Sequence, residues 1–250
     1  MRDGQFLFGF HAVSARLRAH PDSVREIFLD AARQAPRARD LLTLAQQHGV
    51  KVVGVDEKRL EGLARGERHQ GVVARVDPLD TRLDLQDLLE RARGPAFLLL
   101  LDGVTDPHNL GACLRTADAM GVDGVILPKD RSAGLTGTVA KVASGAAESV
   151  PVVTVTNLVR AMEELKEAGV WLMGAAGEAG QSLLDTDLTG PVGWVLGAEG
   201  PGLRRLTRER CDALVRIPMF GQVESLNVSV AAALCLYETR RQREKAPPRP

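Results

Sequence analysis

The chain has 250 residues, 44% of them hydrophobic and 4% aromatic, enough apolar material for one large core or two smaller ones. Its 32 Lys and Arg balance 32 Asp and Glu, and a formal net charge of +0 argues against a protein that coats nucleic acid indiscriminately. No run approaches the roughly 18 uncharged apolar residues of a membrane span, and the opening MRDGQFLFGF lacks the layout of a secretory leader, so a cytoplasmic protein without membrane contact is expected.

Residues 1–76 alternate short elements: a helical stretch FHAVSARLRAH, an apolar run VREIFLD, a helix LLTLAQQHG, a strand VKVVGV, another helix, and the strand GVVARV. They predict a small α/β domain. It holds 13 Lys/Arg against 9 Asp/Glu, and residues 240–250 (RRQREKAPPRP) hold five against one, which places any contact with a polyanion at this domain and the tail. Solvated charged faces would give the same counts. His11, His20, His48 and His69 also fall here without metal-ligand spacing, and Cys113, Cys211 and Cys235 form no C-x-x-C pair. Buried thiols and no metal cofactor are expected. Residues 77–94, opened by Asp77-Pro78 and closed by Gly94-Pro95, read as a linker with one short helix.

Residues 95–243 form the second domain, followed by a flexible tail at 244–250. Apolar runs at 96–104, 124–128, 150–155, 170–175, 192–197 and 213–218 alternate with helical stretches. Near-continuous apolar strands separated by helices predict a parallel sheet covered on both faces.

Three loops of this domain carry unusual polar or glycine content. In DGVTDPHNLGACLRTA (102–117), Asp106-Pro107 ends the strand, His108 or Asn109 can start a helix, and Asn109 can cap it. Arg115 then lies in the otherwise apolar LGACLRTADAM, and a buried or half-buried guanidinium needs an anionic partner, either a protein carboxylate or a substrate phosphate. In VLGAEGPGLR (195–204), Gly197, Gly200 and Gly202 permit close backbone approach, and Glu199 puts a carboxylate at the carboxyl end of the sheet. The spacing is neither G-x-G-x-x-G nor a P-loop, and a plain glycine turn would look the same. In IPMFGQVESLNVSVAAAL (217–234), a strand ends at Pro218 and a polar loop leads to a helix for which Ser225 and Asn227 are both cap candidates.

These three segments, in this order, resemble the signature motifs of the SpoU (TrmH) family of SPOUT RNA methyltransferases over residues 96–240. The first 76 residues, with HQGVVARV, resemble the substrate-binding domain of the RlmB-like 23S rRNA guanosine 2′-O-methyltransferases. Cys113 stands where the family more often has an aliphatic residue.

The resemblance implies an α/β fold in which the parallel sheet is threaded into a C-terminal trefoil knot, preceded by a small L30e-like RNA-binding domain. Knots are essentially absent from folds at large, so no pattern argument leads to one. It implies S-adenosylmethionine as methyl donor, a ribose 2′-hydroxyl of 23S rRNA as acceptor, and a homodimer whose active site is completed across the interface. The helix after Asn227 is the natural interface candidate, although its apolar face can equally be internal core. Carried over by position, the cofactor contacts fall on Gly197, Ile217 and Leu226, and the catalytic set on Asn109, Arg115, Glu199, Ser225 and Asn227. Arg115 is cast first as a clamp on a target-side phosphate, because an ordinary guanidinium does not give up its proton. Lys129, Arg131 and Lys141 are candidate RNA contacts, or simply exposed charges around a surface loop. The rivals are tRNA as substrate, a non-catalytic RNA-binding relative, and a nucleotide-dependent oxidoreductase. The last needs a glycine fingerprint after the first strand of the sheet, which 102–117 does not supply.

Overall fold

The computed structural model describes residues 5–31, 36–64, 66–77, 83–198 and 200–245. They fall into two compact units, Met1–Asp80 with Ser144–Ser149, and Thr81–Ala143 with Val150–Pro250.

In the first unit, β1 (Gln5–Phe8), β2 (Val24–Asp30), β3 (Val52–Val55) and β4 (Val72–Val76) form a four-stranded sheet of order β1-β4-β2-β3. Only β2 and β3 pair in parallel; β4 runs antiparallel to both β1 and β2. Helices α1 (Phe10–Ala19), α2 (Pro36–Gln47) and α3 (Glu57–Ala64) cover it. One core gathers Val13 and Leu17 of α1, Ile27 of β2, Leu41 of α2 and Val72 of β4, all nearly inaccessible to solvent. Arg16 is buried among them and is satisfied: it pairs with Glu148 and donates to Ser23 Oγ at 3.2 Å and to the carbonyl of Asp77 at 3.1 Å. The segment Ser144–Ser149, which sequence order alone assigns to the second domain, thus belongs with the first unit through Glu148. β1 escapes the sequence reading because four residues of QFLF are too few to display a period.

The second unit is built on a fully parallel sheet of order β7-β6-β5-β10-β8-β11-β9. Its strands are β5 (Phe97–Asp102), β6 (Gly124–Pro128), β7 (Val152–Val155), β8 (Trp171–Ala175), β9 (Gln181–Ser182), β10 (Val192–Gly197) and β11 (Ala213–Arg216). Six of these coincide with the apolar runs; β9, two polar residues at the sheet edge, carries no signal. Every residue of β5, FLLLLD, is buried, as a central strand covered on both faces requires.

On one face, α4 (Leu85–Arg91) and α8 (Leu158–Glu167) contribute Leu88, Leu158, Met162 and Leu165 to a core with Leu98 and Leu100 of β5. The short helix expected within 77–94 is therefore part of this core, started by a capping box between Asp84 and Asp87. On the other face lie α5 (Pro107–Met120) and α10 (Val228–Lys245), where buried Trp194 of β10 donates its indole N–H to Thr239 Oγ1 at 2.9 Å. The short helices α6 (Gly137–Val142), α7 (Ala146–Ser149) and α9 (Arg205–Arg210) complete the chain.

The basic tail behaves differently from the charge reading. Arg243 lies over the ring of Phe97 at 4.7 Å and donates to the carbonyls of Pro95, Ala96, Leu188 and Gly190 at 2.7–3.3 Å. Arg240 donates to the carbonyls of Met120 and Gly121, and Arg241 pairs with Glu238. Three guanidinium groups counted as available to a polyanion are instead occupied by the protein's own acceptors, which fastens α10 to strand starts and to the end of α5. Residues 246–250 lie outside the described residues.

Candidate active site

The carboxyl ends of β8, β10 and β11 open onto a cleft of about 440 Å³. Its walls are residues 175–178 after β8, 196–198 and 200–203 after β10, and Ile217, Met219 and 224–226 after β11, with Val228 and Ala231 of α10 behind. Ligands of open α/β sheets bind at such strand ends.

The loop after β10 is folded back on itself. Gly202 N–H donates to the carbonyl of Ala198 at 3.0 Å, with Gly200 and Gly202 at φ of 84° and 67°. The return brings Gly202 so near Gly197 that a Cβ at 197 would meet the Gly202 carbonyl carbon at 2.0 Å. Only glycine fits at 197, which lets the two arms of the loop close on each other beside the cleft.

Across from it, half-buried Ile217 and Leu226 supply an apolar surface. Arg216 donates to the carbonyls of Ala179 and Gly180, tying the end of β11 to the loop after β8. Arg208 of α9 pairs with Glu178 at the rim, and the Glu178 carboxyl is held below the ordinary carboxylate range first by a hydrogen bond from its own backbone and then by the Arg208 contact. Neither residue was singled out from sequence; the small-residue stretch GAAGEAG (174–180) after β8 is as strong a signal as the second motif.

The first and third motifs meet directly. Asn227 precedes α10 and its Oδ1 accepts the Ser229 N–H at 2.9 Å, a cap interaction. Since a backbone N–H only donates, the amide oxygen must face it, and Nδ2 is left to donate to Asn109 Oδ1 at 2.9 Å. Asn109 is free for this because it caps nothing: α5 starts earlier than expected, with Pro107 in its first turn and Asp106 accepting the His108 N–H at 2.9 Å. Ser225 lines the cleft two residues before Asn227.

Arg115 departs from its expected setting. It is exposed and has no ion-pair partner among the described residues. Leu110, Cys113, Leu114 and Ala117 bury one side of α5, and the helical period puts residue 115 on the other. Lys129, Arg131 and Lys141 are also exposed, outside the cleft, Arg131 with a φ of 57°. Glu199 lies outside the described residues.

A cleft of this volume, lined by the glycine-rich loop after β10 and by Ile217 and Leu226, suits a nucleoside-sized ligand whose ring edge main-chain groups can read and whose face aliphatic side chains can cover. The chain matches the model of the SpoU rRNA Methylase family over residues 96–237, and that of the RNA 2′-O ribose methyltransferase substrate-binding domain over residues 6–82. It is 56% identical over 247 residues to the 23S rRNA (guanosine-2′-O-)-methyltransferase RlmB of Ralstonia nicotianae, covering 99% of each chain. The enzyme of the same name from Bordetella pertussis is 57% identical over 244 residues, 98% of this chain and 100% of the other. Among solved structures, the SpoU methyltransferase AviRb of Streptomyces viridochromogenes in complex with its cofactor AdoMet aligns with a TM-score of 0.77 at 28% identity, over 98% of this chain and 92% of that one. Strand order, the glycine-only turn and the joined first and third motifs thus agree with similarity over the whole length, and the chain belongs to the SpoU rRNA methylase family.

Proposed function

We propose that the protein transfers a methyl group from S-adenosylmethionine to the ribose 2′-hydroxyl of a guanosine in 23S rRNA, in the cytoplasm and as a homodimer. The observation that carries this reading is a cleft lined by the second and third motif loops, with the first motif joined to the third through the Asn227–Asn109 hydrogen bond, in a chain 56% identical to an enzyme of that name.

Bound S-adenosylmethionine supplies a methyl group already activated by its sulfonium centre. What the chain must add is alignment of the acceptor oxygen and help with its proton. The backbone around Gly197 and the side chains of Ile217 and Leu226 hold the cofactor. Asn109, Ser225 and Asn227 fix the polar end of the site, the two amides constraining each other through their 2.9 Å bond. Glu199 takes its role from the family motif. Arg115, exposed and without an ion-pair partner among the described residues, is available to clamp a phosphate beside the target ribose and to favour the developing alkoxide. Lys129, Arg131 and Lys141 extend the phosphate path, and residues 1–76 choose the target while 95–243 carry the chemistry.

The dimer reading rests on α10. Its buried face carries Ala232, Cys235, Leu236 and Thr239, yet the opposite side presents Val230, Leu234 and Tyr237, which are 46%, 41% and 59% exposed and share one stripe by their spacing of four and three. A helix apolar on both sides asks for a second partner. The trefoil knot expected of the family would involve the loops that form this cleft.

Incubating the protein with labelled cofactor and either 23S rRNA or tRNA, then mapping 2′-O-methyl positions, tests the reading. Label in a 23S guanosine is expected; label only in tRNA, or in neither, overturns it.

A further inference from the structure

Asp102 ends β5, and its side chain is 0% exposed. A carboxylate taken wholly out of water needs compensation, and among the described residues its hydrogen bonds and ion pair come from one residue on a distant loop. Oδ2 accepts the Arg204 backbone N–H at 3.0 Å, while Oδ1 takes the Arg204 guanidinium side-on through Nε and Nη2. Arg204 immediately follows the folded-back loop after β10 and precedes α9.

The loop is therefore fastened at both ends to the same place. Its first residue, Gly197, is the register partner of Asp102 across the β5–β10 ladder, and its last is followed by Arg204, held on the Asp102 carboxylate. Between them the loop closes through Gly202 N–H and the Ala198 carbonyl. Neither Asp102 nor Arg204 lines the cleft, whereas residues 196–198 and 200–203 do. Asp102 also begins the first motif, so one buried carboxylate ties the strand leading to Asn109 to the loop that carries Glu199.

We propose that Asp102 and Arg204 are a positioning pair for the cofactor loop, holding residues 197–203 in the shape that receives S-adenosylmethionine. An ion pair whose guanidinium is 44% exposed adds little net stability, so fixing geometry is the more fitting use for it. Without the guanidinium contact the loop samples other shapes, and apparent affinity falls by the fraction of molecules that remain competent. Saturating cofactor selects the competent shape again. The defect accordingly falls on KM for the cofactor more than on kcat.

This inference rests on the cleft being the S-adenosylmethionine site, and the experiment separates the two. Titration calorimetry of the full chain with S-adenosylmethionine, melting curves and steady-state methylation would be run on wild type, Arg204→Ala, Arg204→Lys and Asp102→Asn. The asparagine preserves volume and can still accept the Arg204 N–H, so it remains informative if the alanine variant folds poorly. Expected are a rise of about tenfold or more in cofactor Kd and KM for Arg204→Ala and Asp102→Asn, a loss in kcat of about threefold or less, and partial recovery with Arg204→Lys, which keeps the charge but not the fork. A double variant should bind no worse than the weaker single one, because both break one contact. A folded Arg204→Ala protein with unchanged cofactor Kd, additive effects in the double variant, or a fall in kcat without a change in KM each overturns the pair. A wild-type protein that does not bind S-adenosylmethionine overturns the underlying reading and the pair with it.

Discussion

At the scale of single residues, the site divides into groups fixed by the protein and groups left for the substrate. Asn109 and Asn227 spend their amides on each other and on the cap of α10, which makes them rigid. Arg115 has no such anchor, and this decides what its loss should do. Arg115→Ala removes no ion pair among the described residues, so the melting temperature and S-adenosylmethionine affinity should be nearly unchanged. If the guanidinium meets charge that develops only in the transition state, kcat falls on the order of 10²- to 10³-fold. Single-turnover methylation beside calorimetry checks this; near-normal turnover in a stable variant sinks the assignment. The loops of the site were marked in the sequence by their polar and glycine content, but Asn109, Ser225 and Asn227 read equally as caps and the glycines as a plain turn, so their roles came from the family resemblance. Arg115 was misjudged as half-buried because a helix in a mostly apolar stretch looks buried all round until its partners are known. Asp102 and Arg204 were missed for a different reason: each is an unremarkable end residue alone, and only folding brings positions 102 and 204 together.

At the scale of elements, α10 shows most clearly how charge can mislead. The last turns read as a solvated or polyanion-binding tail, yet Arg240 and Arg243 serve carbonyls left over at the end of α5 and near the starts of β5 and β10. Arg243→Ala should destabilise the protein by about 2–4 kcal/mol, since it strips donors from four carbonyls and removes a cation over Phe97. RNA affinity at moderate salt should hardly change. Denaturant unfolding with filter binding measures both, and weakened RNA binding with unchanged stability would restore the polyanion reading. The strands of the second unit were legible because buried parallel strands are continuous apolar runs with nothing polar to interrupt them. The true start of α5 was not, since Asp106, His108 and Asn109 all resemble caps, and the choice is made by Pro107, whose fixed φ suits the first helical turn.

At the scale of the whole molecule, burial governs the cysteines. Burial pushes Cys113 from 9.0 to about 12, and does the same to Cys211 with Asp212 adding to it, while Cys235 is raised further by burial alone. All three stay protonated in the folded protein at pH 8; Cys113 and Cys235 are buried as expected, so a thiol reagent should reach them only as fast as the structure opens, whereas Cys211 is half-buried rather than buried. The sign for stability follows from the raised values. The unfolded chain loses these protons near pH 9 and the folded one does not, so their contribution is complete below about 9 and is lost as pH climbs toward 12. Replacing Cys113 with Ala should flatten that alkaline decline, measured as denaturant midpoints against pH, and an identical slope in the variant would remove Cys113 from the account.

The same scale decides how many copies make an active enzyme. α10 covers its own domain with one face and leaves Val230, Leu234 and Tyr237 in water on the other. That stripe begins three residues after Asn227, so a second copy docked on it would stand beside the site. Sedimentation should give about twice 26.9 kDa at micromolar protein. Leu234→Glu places a charge in the middle of the stripe without touching the buried face, so the protein should stay folded, dissociate to the single chain, and lose most methyl transfer while the Gly197 turn of each copy remains formed. Sedimentation, a melting curve and cofactor calorimetry on the one variant separate these effects. A wild-type chain that is monomeric and fully active, or a Leu234→Glu protein that remains dimeric, would move the interface elsewhere and leave the α10 stripe without a role in assembly.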